Sequence, residues 1–297
     1  ISLFPISVLS LLDQRTTAEA LTENSRQTML SAASRTAEAL DFFISSNLST
    51  VRTEALIPQF MEFLSLPPHQ RPGSPEERAV MGILSSLKRR DHTHLTSVAL
   101  LDMNGESVAD TNGVELGMNK ADRDYFRLPV TTGLPYASSV AVAERSGQPS
   151  IYFSCPVRDT AGRMVGVFRM RYNASALQGL LVSGGYGSTG IEAILFDEIG
   201  IRLADSLHPD RILTPAFRLA DADRRLLQRE RRLSPSDRPE DGHILDRGIL
   251  KDGAPPFFRA ATHGPGERPT LNVRVGMRGK PWTLVLAYSE AAAQGRI

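Results

Sequence analysis

One stretch of this chain occurs twice. Leu100-Leu-Asp102-Met-Asn-Gly105-Glu-Ser-Val-Ala109-Asp110-Thr aligns without a gap on Leu195-Phe-Asp197-Glu-Ile-Gly200-Ile-Arg-Leu-Ala204-Asp205-Ser. Each copy is an apolar run, a Gly-bearing turn and a second apolar run, the pattern of a β-hairpin. Shared hairpin chemistry can produce one such match by chance. Here both copies are followed by a helical or irregular insert and then by further strand-like runs. After the first copy these are Tyr136–Ala143, Ser150–Val157 and Met164–Tyr172; after the second, His243–Leu250, Pro256–Thr262, Leu271–Met277 and Pro281–Tyr288. Two tandem copies of one fold account for the pattern, and 297 residues suit about two domains.

The connections fix the pairing. Ser146-Gly147-Gln148 and Thr160-Ala161-Gly162 are tight turns, whereas a parallel pair needs a crossover of about a dozen residues or more. Each unit is therefore expected to hold an antiparallel sheet of five or six strands, with helical material between its second and third strands. That is an α+β, PAS-like arrangement.

Ahead of the repeats, Asp13 to about Ala55 reads as one long helix. Leu30, Ala33, Ala37, Leu40, Ile44, Leu48, Val51 and Ala55 recur at steps of three and four among polar residues, giving a narrow apolar stripe on a polar rod. At about 1.5 Å per residue the rod runs about 60 Å, which suits a stalk lying along two stacked domains. The same stripe fits the seam of a coiled-coil dimer. Pro58 marks the expected end of the rod. After a Pro-rich loop, Ser74-Pro75-Glu76-Glu77 supplies an N-cap, a proline in the first turn and a Glu three after the cap, so a second helix is expected to run to about Arg90.

The apolar start Ile1–Leu12 is too short to span a bilayer. It reads as the outer end of a transmembrane helix, with a short core strand as the rival reading. Together with the stop at Ala291-Ala-Ala-Gln-Gly-Arg-Ile297, it leads to the expectation of a segment between two transmembrane helices, with both termini facing the membrane.

Composition removes several function classes. A net charge of +1 gives no nucleic-acid footprint. The basic run Arg224–Arg232 is flanked by acids and carries no aromatics, and reads as a solvated helix face. The single cysteine, Cys155, excludes an internal disulfide and reads as a small core residue; Trp282 also reads as core. Gly185-Tyr-Gly187-Ser-Thr-Gly190 has dinucleotide-loop spacing, but a helix is expected before it and a strand after it, the reverse of what phosphate binding needs. It reads as an inter-domain linker. His92 and His94 have no further ligands at metal-binding spacing. No sequence signature nominates a Ser/His/Asp triad, and no cofactor is expected.

Arg169 and Arg171 lie two apart in an otherwise apolar strand and so share one face with Val165 and Val167. Either that face meets water or it lines a pocket, where a half-buried Arg calls for a carboxylate.

The segments Ala121-Asp-Arg123-Asp-Tyr125-Phe126, Pro135-Tyr136 and Ser154–Tyr172 resemble the ligand-binding half of a double Cache sensor domain. This is the extracytoplasmic input module of bacterial sensor kinases and chemoreceptors, and its layout is a long helix followed by two PAS-like units. Amino-acid-sensing members carry Arg-x-Trp-Tyr, whose Arg grips the ligand carboxylate; this chain has Arg123-Asp-Tyr125-Phe126 there. The resemblance also implies a ligand contact at Tyr136. It places acids that hold the ligand ammonium at the positions of Ser138 and Arg171. Neither residue is an acid here, which implies an acid without an amine, as in related dicarboxylate-sensing members. The expected ligand contacts are Arg123, Tyr125, Tyr136, Ser138 and Arg171.

The division expected from this resemblance is 1–60 for the transmembrane end and stalk, 61–183 for a membrane-distal ligand-binding unit, and 184–297 for a membrane-proximal unit. The second unit's loop Leu213–Pro239 lacks the Arg-x-aromatic-aromatic segment and is expected to relay rather than sense. The resemblance implies a small-molecule sensor of a homodimeric membrane receptor, a histidine kinase first, a chemotaxis receptor or diguanylate cyclase next. A small-molecule hydrolase is the rival from a different class.

Overall fold

A computed structural model describes residues 4–185, 191–234, 245–251, 253–260 and 270–288. The long helix α1 spans Phe4–Glu54, 51 residues and so about 77 Å of rod. It starts earlier than the apolar stripe alone implies, and Phe4–Leu12 is helical rather than a strand. Ala33, Ala37, Leu40, Ile44 and Val51 are buried as the stripe requires, while Leu30 and Leu48 are half-buried and Met29 and Asn47 take buried places. No helix among the described residues is long and apolar enough to cross a membrane. The expectations for residues 1–3 and for the C-terminal tail, residues 289–297, lie outside the described residues, as does the greater part of the expected linker, residues 186–190.

Pro58 starts a helix as well as ending one: α2 spans Pro58–Ser65 with the proline in its first turn, where a missing N–H costs nothing. Helix α3, Pro75–Lys88, begins as expected. Ser74 Oγ accepts from the Glu77 amide at 3.0 Å, and the Glu77 carboxylate accepts from the Gly73 amide at 2.6 Å.

The first sheet comprises β1 (Leu95–Asp102), β2 (Ser107–Asp110), β3 (Tyr136–Ala137), β4 (Ala141–Val142), β5 (Pro149–Arg158) and β6 (Met164–Asn173). Its order is β2-β1-β6-β5-β3, with β4 also on β5 and every pair antiparallel. Helix α4, Asp124–Thr132, is the insert between β2 and β3. The expected strand Tyr136–Ala143 is broken into β3 and β4: the pairing on β5 slips by one residue between Ala137↔Phe153 and Ala141↔Ser150, and at the break the Ser139 hydroxyl donates to Asp197 at 3.3 Å.

The two faces of this sheet differ. Val98, Leu100, Phe153, Phe168 and Met170 face the main core, where α1, α2 and α3 pack. The opposite face carries a smaller cluster of Leu101, Tyr125, Phe126, Tyr152 and Val167 under α4.

After α5 (Ser175–Ser183), the second sheet comprises β7 (Ile191–Phe196), β8 (Arg202–Asp205), β9 (Phe257–Ala260), β10 (Thr270–Gly276) and β11 (Thr283–Tyr288), with α6 (Asp221–Arg229) between β8 and β9. Its order, β8-β7-β11-β10-β9, is the path of the first sheet repeated. The expected strand at His243–Leu250 does not form over the part described: Asp246 accepts from the Gly248 amide and starts a 3-10 turn at Arg247–Leu250.

The sequence repeat is a structural repeat down to single bonds. Asp102 Oδ1 accepts from the amides of Asn104 and Glu106, and Asp197 Oδ1 from those of Ile199 and Ile201. Gly105 and Gly200 take φ +80° and +78° in those turns, a conformation that favours glycine. Asp110 and Asp205 each cap the backbone that leaves the hairpin. Helix α1 touches β5 and β6 of one sheet and β10 and β11 of the other, so one element is shared by both cores.

Candidate functional site

Strand β6 brings Arg169 and Arg171 to the α4 face, and both are buried, at 2 % and 3 % exposure. The face is therefore not a wet one. Each guanidinium already has its anions. Arg169 binds Asp110 at 2.8 Å and Glu115 at 3.0 Å, and Arg171 binds Glu115 at 2.6 Å and Thr96 Oγ1 at 3.0 Å. Two cations and two carboxylates make the group neutral, which is what permits burial. Arg169 also lies over the rings of Tyr125 and Tyr152, at 5.9 and 5.8 Å. Burial alone would raise the Glu115 carboxyl, but Arg169 and Arg171 outweigh it and hold the group below the usual carboxylate range.

Beside this group lies a cavity of about 340 Å³, within the size range of small-ligand sites. Arg123, Tyr125, Tyr136 and Ser138 all line it, as does Glu115; Arg171 does not. Arg171 reaches the cavity wall through Glu115, its partner there, and through its hydrogen bond to the Tyr152 side chain.

Arg123 stands at the N-cap of α4 and pairs with Asp122 at 3.6 Å and Glu144 at 3.5 Å. Tyr125, in the first turn of α4, stacks on Tyr152 of β5 with centroids 4.4 Å apart. Burial, with Asp124 adding to it, pushes the Tyr136 hydroxyl up to about 12, so this hydroxyl stays protonated and able to donate. Ser138 Oγ accepts from the Tyr152 amide at 2.9 Å and donates its proton to Ser139 O at 2.6 Å. Its remaining capacity toward a ligand is as an acceptor.

Several wall residues lay outside the sequence reading. Lys120 and Glu144 pair at 2.9 Å, and Glu144 also receives Arg231 at 3.3 Å. The hydrogen bond from Lys120 is the main reason the Glu144 carboxyl titrates low. The second sheet contributes Glu198 from the β7–β8 turn, Arg229, Glu230 and Arg232 from the end of α6, and Lys280 from the β10–β11 turn. The basic run Arg224–Arg232 thus departs from a purely solvated face. Arg232 folds inward onto Asp197 at 2.7 Å and Glu198 at 3.2 Å, and the Arg231 carbonyl accepts from the Val142 amide at 2.8 Å.

Elsewhere, Cys155 is buried and its thiol pushed up to about 11 by that burial, as suits a core residue. Trp282 is fully buried. Among the described residues no cluster of three His, Cys, Asp or Glu side chains is placed to hold a metal ion.

A long helix carrying two PAS-like sheets, the first with a charged and aromatic cavity under its inserted helix, defines an input domain of the Cache class. The chain belongs to the Cache domain family, which it matches over residues 16–297. Cache domains are extracytoplasmic sensor domains of membrane receptors. No curated protein sequence matches the chain.

Solved structures share the fold. The sensor domain of the Vibrio cholerae histidine kinase DctB superposes with a TM-score of 0.71 at 16% identity, over 92% of this chain and 98% of that one. The ligand-binding domain of the Campylobacter jejuni chemoreceptor Tlp3, in complex with 4-methylisoleucine, gives 0.61 at 16% identity over 93% and 94%. The ligand-binding domain of the Pseudomonas aeruginosa PAO1 amino acid chemoreceptor PctC, in complex with GABA, gives 0.57 at 15% identity over 90% and 100%.

Proposed function

We propose that this chain is the small-molecule sensor of a signal-transducing membrane receptor, a histidine kinase in the first instance, and that it takes a small organic anion such as a carboxylate. In this reading residues 1–60 form the stalk, 61–183 the ligand-binding unit and 184–297 the membrane-proximal unit. Arg123, Tyr125, Tyr136 and Ser138 touch the ligand, and Arg171 acts behind Glu115. The receptor works as a homodimer anchored by flanking membrane segments.

The observation that carries the reading is the convergence of Arg123, two tyrosines and a serine on one cavity of about 340 Å³. Arg123 is the first-unit cation best suited to a carboxylate, because its planar donors match that group. The likeness to the DctB sensor domain, which superposes better than the Tlp3 and PctC domains do, favours a kinase output.

Calorimetry against carboxylates, amino acids and amines tests it. Arg123→Ala is expected to weaken carboxylate binding about tenfold or more, since truncating one partner of a desolvated charge pair costs about 2–5 kcal/mol. Tight binding of an amine that lacks an acid group, or indifference to Arg123→Ala, would overturn the reading. Turnover of generic ester substrates would favour the hydrolase instead.

A further inference from the structure

We propose that Lys280, carried by the β10–β11 turn of the second sheet, is the anion-binding residue that completes the cavity, so that one ligand joins both sheets. The inference rests on the reading of the cavity as an organic-anion site and adds which cation takes the anion.

The charges around the cavity are mostly spoken for. Arg169 and Arg171 are neutralised by Asp110 and Glu115, Lys120 and Arg123 share Glu144, and Arg127 has Asp124 at 2.6 Å. Arg232 has Asp197 and Glu198. Lys280 differs. It is half-buried, lines the cavity, and forms no ion pair with a carboxylate among the described residues. Its ammonium donates to Ala137 O at 2.8 Å and meets the ring faces of Tyr136 at 5.3 Å and Trp282 at 5.5 Å. Burial holds its pKa below the ordinary value, and the Glu198 and Asp197 carboxylates, both paired with Arg232, offset that only in part.

An ammonium has three donors, so capacity remains after the Ala137 bond. A desolvated charge with no carboxylate in direct contact is costly, and a ligand carboxylate relieves that cost where a neutral ligand does not. The Tyr136 hydroxyl, protonated and lining the same cavity, is the neighbouring donor.

The position of Lys280 gives binding a direct outlet. Immediately before it in the turn, the amides of Arg278 and Gly279 donate to the Asp41 carboxylate on α1, at 2.9 and 2.8 Å. A ligand held by Lys280 therefore bears on a turn that is already fastened to the stalk helix. Neither the sheet linker nor a long chain of packed side chains is needed to carry the signal that far.

The test uses the whole chain and three probes: propionate, succinate and γ-aminobutyrate. Calorimetry on the wild type, Lys280→Met, Lys280→Arg and Arg123→Ala separates the two levels of the argument. Lys280→Met keeps the aliphatic stem against both rings while removing the charge, and Lys280→Gln serves as a second neutral variant if the first melts early. Any probe that binds the wild type is expected to lose about tenfold or more with the neutral variants and to stay within about threefold with Lys280→Arg. Hydrogen exchange at the Arg278 and Gly279 amides is expected to slow when that probe is added to the wild type, and not in Lys280→Met. If Arg123→Ala weakens binding but Lys280→Met and Lys280→Gln do not, this inference is wrong and the anion-sensor reading stands. If no probe binds the wild type, that reading falls and takes this inference with it.

Discussion

Arg171 shows how one side chain can satisfy a family position and still serve another purpose. The resemblance places it at a ligand contact, whereas the fold gives its guanidinium to Glu115 and Thr96. Arg169, for which the resemblance implies no ligand role, is equally buried and shares the same acid. Glu115 is therefore the pivot, and it also faces the cavity. Glu115→Gln leaves two buried arginines with one carboxylate, and is expected to destabilise the protein by about 3–5 kcal/mol at neutral pH, the usual cost of an uncompensated buried charge. Because the folded carboxyl titrates below its ordinary value of 4.5, its contribution is complete above that value and is lost as pH falls through the lower folded value. Urea denaturation of wild type and variant should show the difference shrinking on the acid side. A difference constant down to pH 3 or so would mean that Glu115 is not stabilised as a carboxylate.

At the scale of elements, the hairpin turn and the ligand loop depend on each other. The Lys120 amide donates to Gly105 O at 2.7 Å, and a Cβ added at Gly105 would meet the Ala121 backbone at 2.6 Å. Those residues lead into Arg123 and α4. Gly105→Ala is expected to cost about 1–2 kcal/mol for the left-handed backbone alone. It should also weaken ligand binding, because the obstructing atoms are main chain and the loop must move. A variant that loses stability but binds the probes of the calorimetric panel as the wild type does would show that the loop reaches its place independently of the turn.

The whole molecule is tied together by α1 and by the contacts across the cavity. Glu144 of the first unit holds Arg231, Ser139 donates to Asp197, and Lys280 donates to Ala137. A division into a sensing unit and a relaying unit is thus less sharp in space than along the chain. Trp282 is the single tryptophan and is buried on the second sheet, whereas four of the six tyrosines, at 125, 136, 152 and 172, belong to the first unit. Unfolding followed by Trp282 fluorescence is expected to coincide with unfolding followed by far-UV circular dichroism, as one cooperative transition. Two separated transitions would show that the sheets unfold as independent bodies and that the contacts across the cavity are weak.

Much of this architecture was legible in the residue order because its signals are local. The repeated hairpin, the short turns and the three-and-four spacing of the stalk depend on neighbours a few positions apart, and they were enough to foresee two antiparallel sheets behind a long helix. The segment around Arg123 and Tyr136 was legible for the same reason, through its likeness to a family motif. The partners of the buried arginines were not. Asp110 and Glu115 lie 59 and 54 positions from Arg169 and meet it only because β2, β1 and β6 are laid side by side. Lys280 was less visible still, being one basic residue in a turn after a strand, with no pattern of its own. Its ammonium reaches Ala137, 143 positions away, because the second sheet is docked beneath the first against the same helix. Periodicity and turn chemistry are short-range properties that a sequence carries in itself, whereas charge neutralisation and the closing of a cavity are long-range properties, decided when the chain brings distant residues into contact.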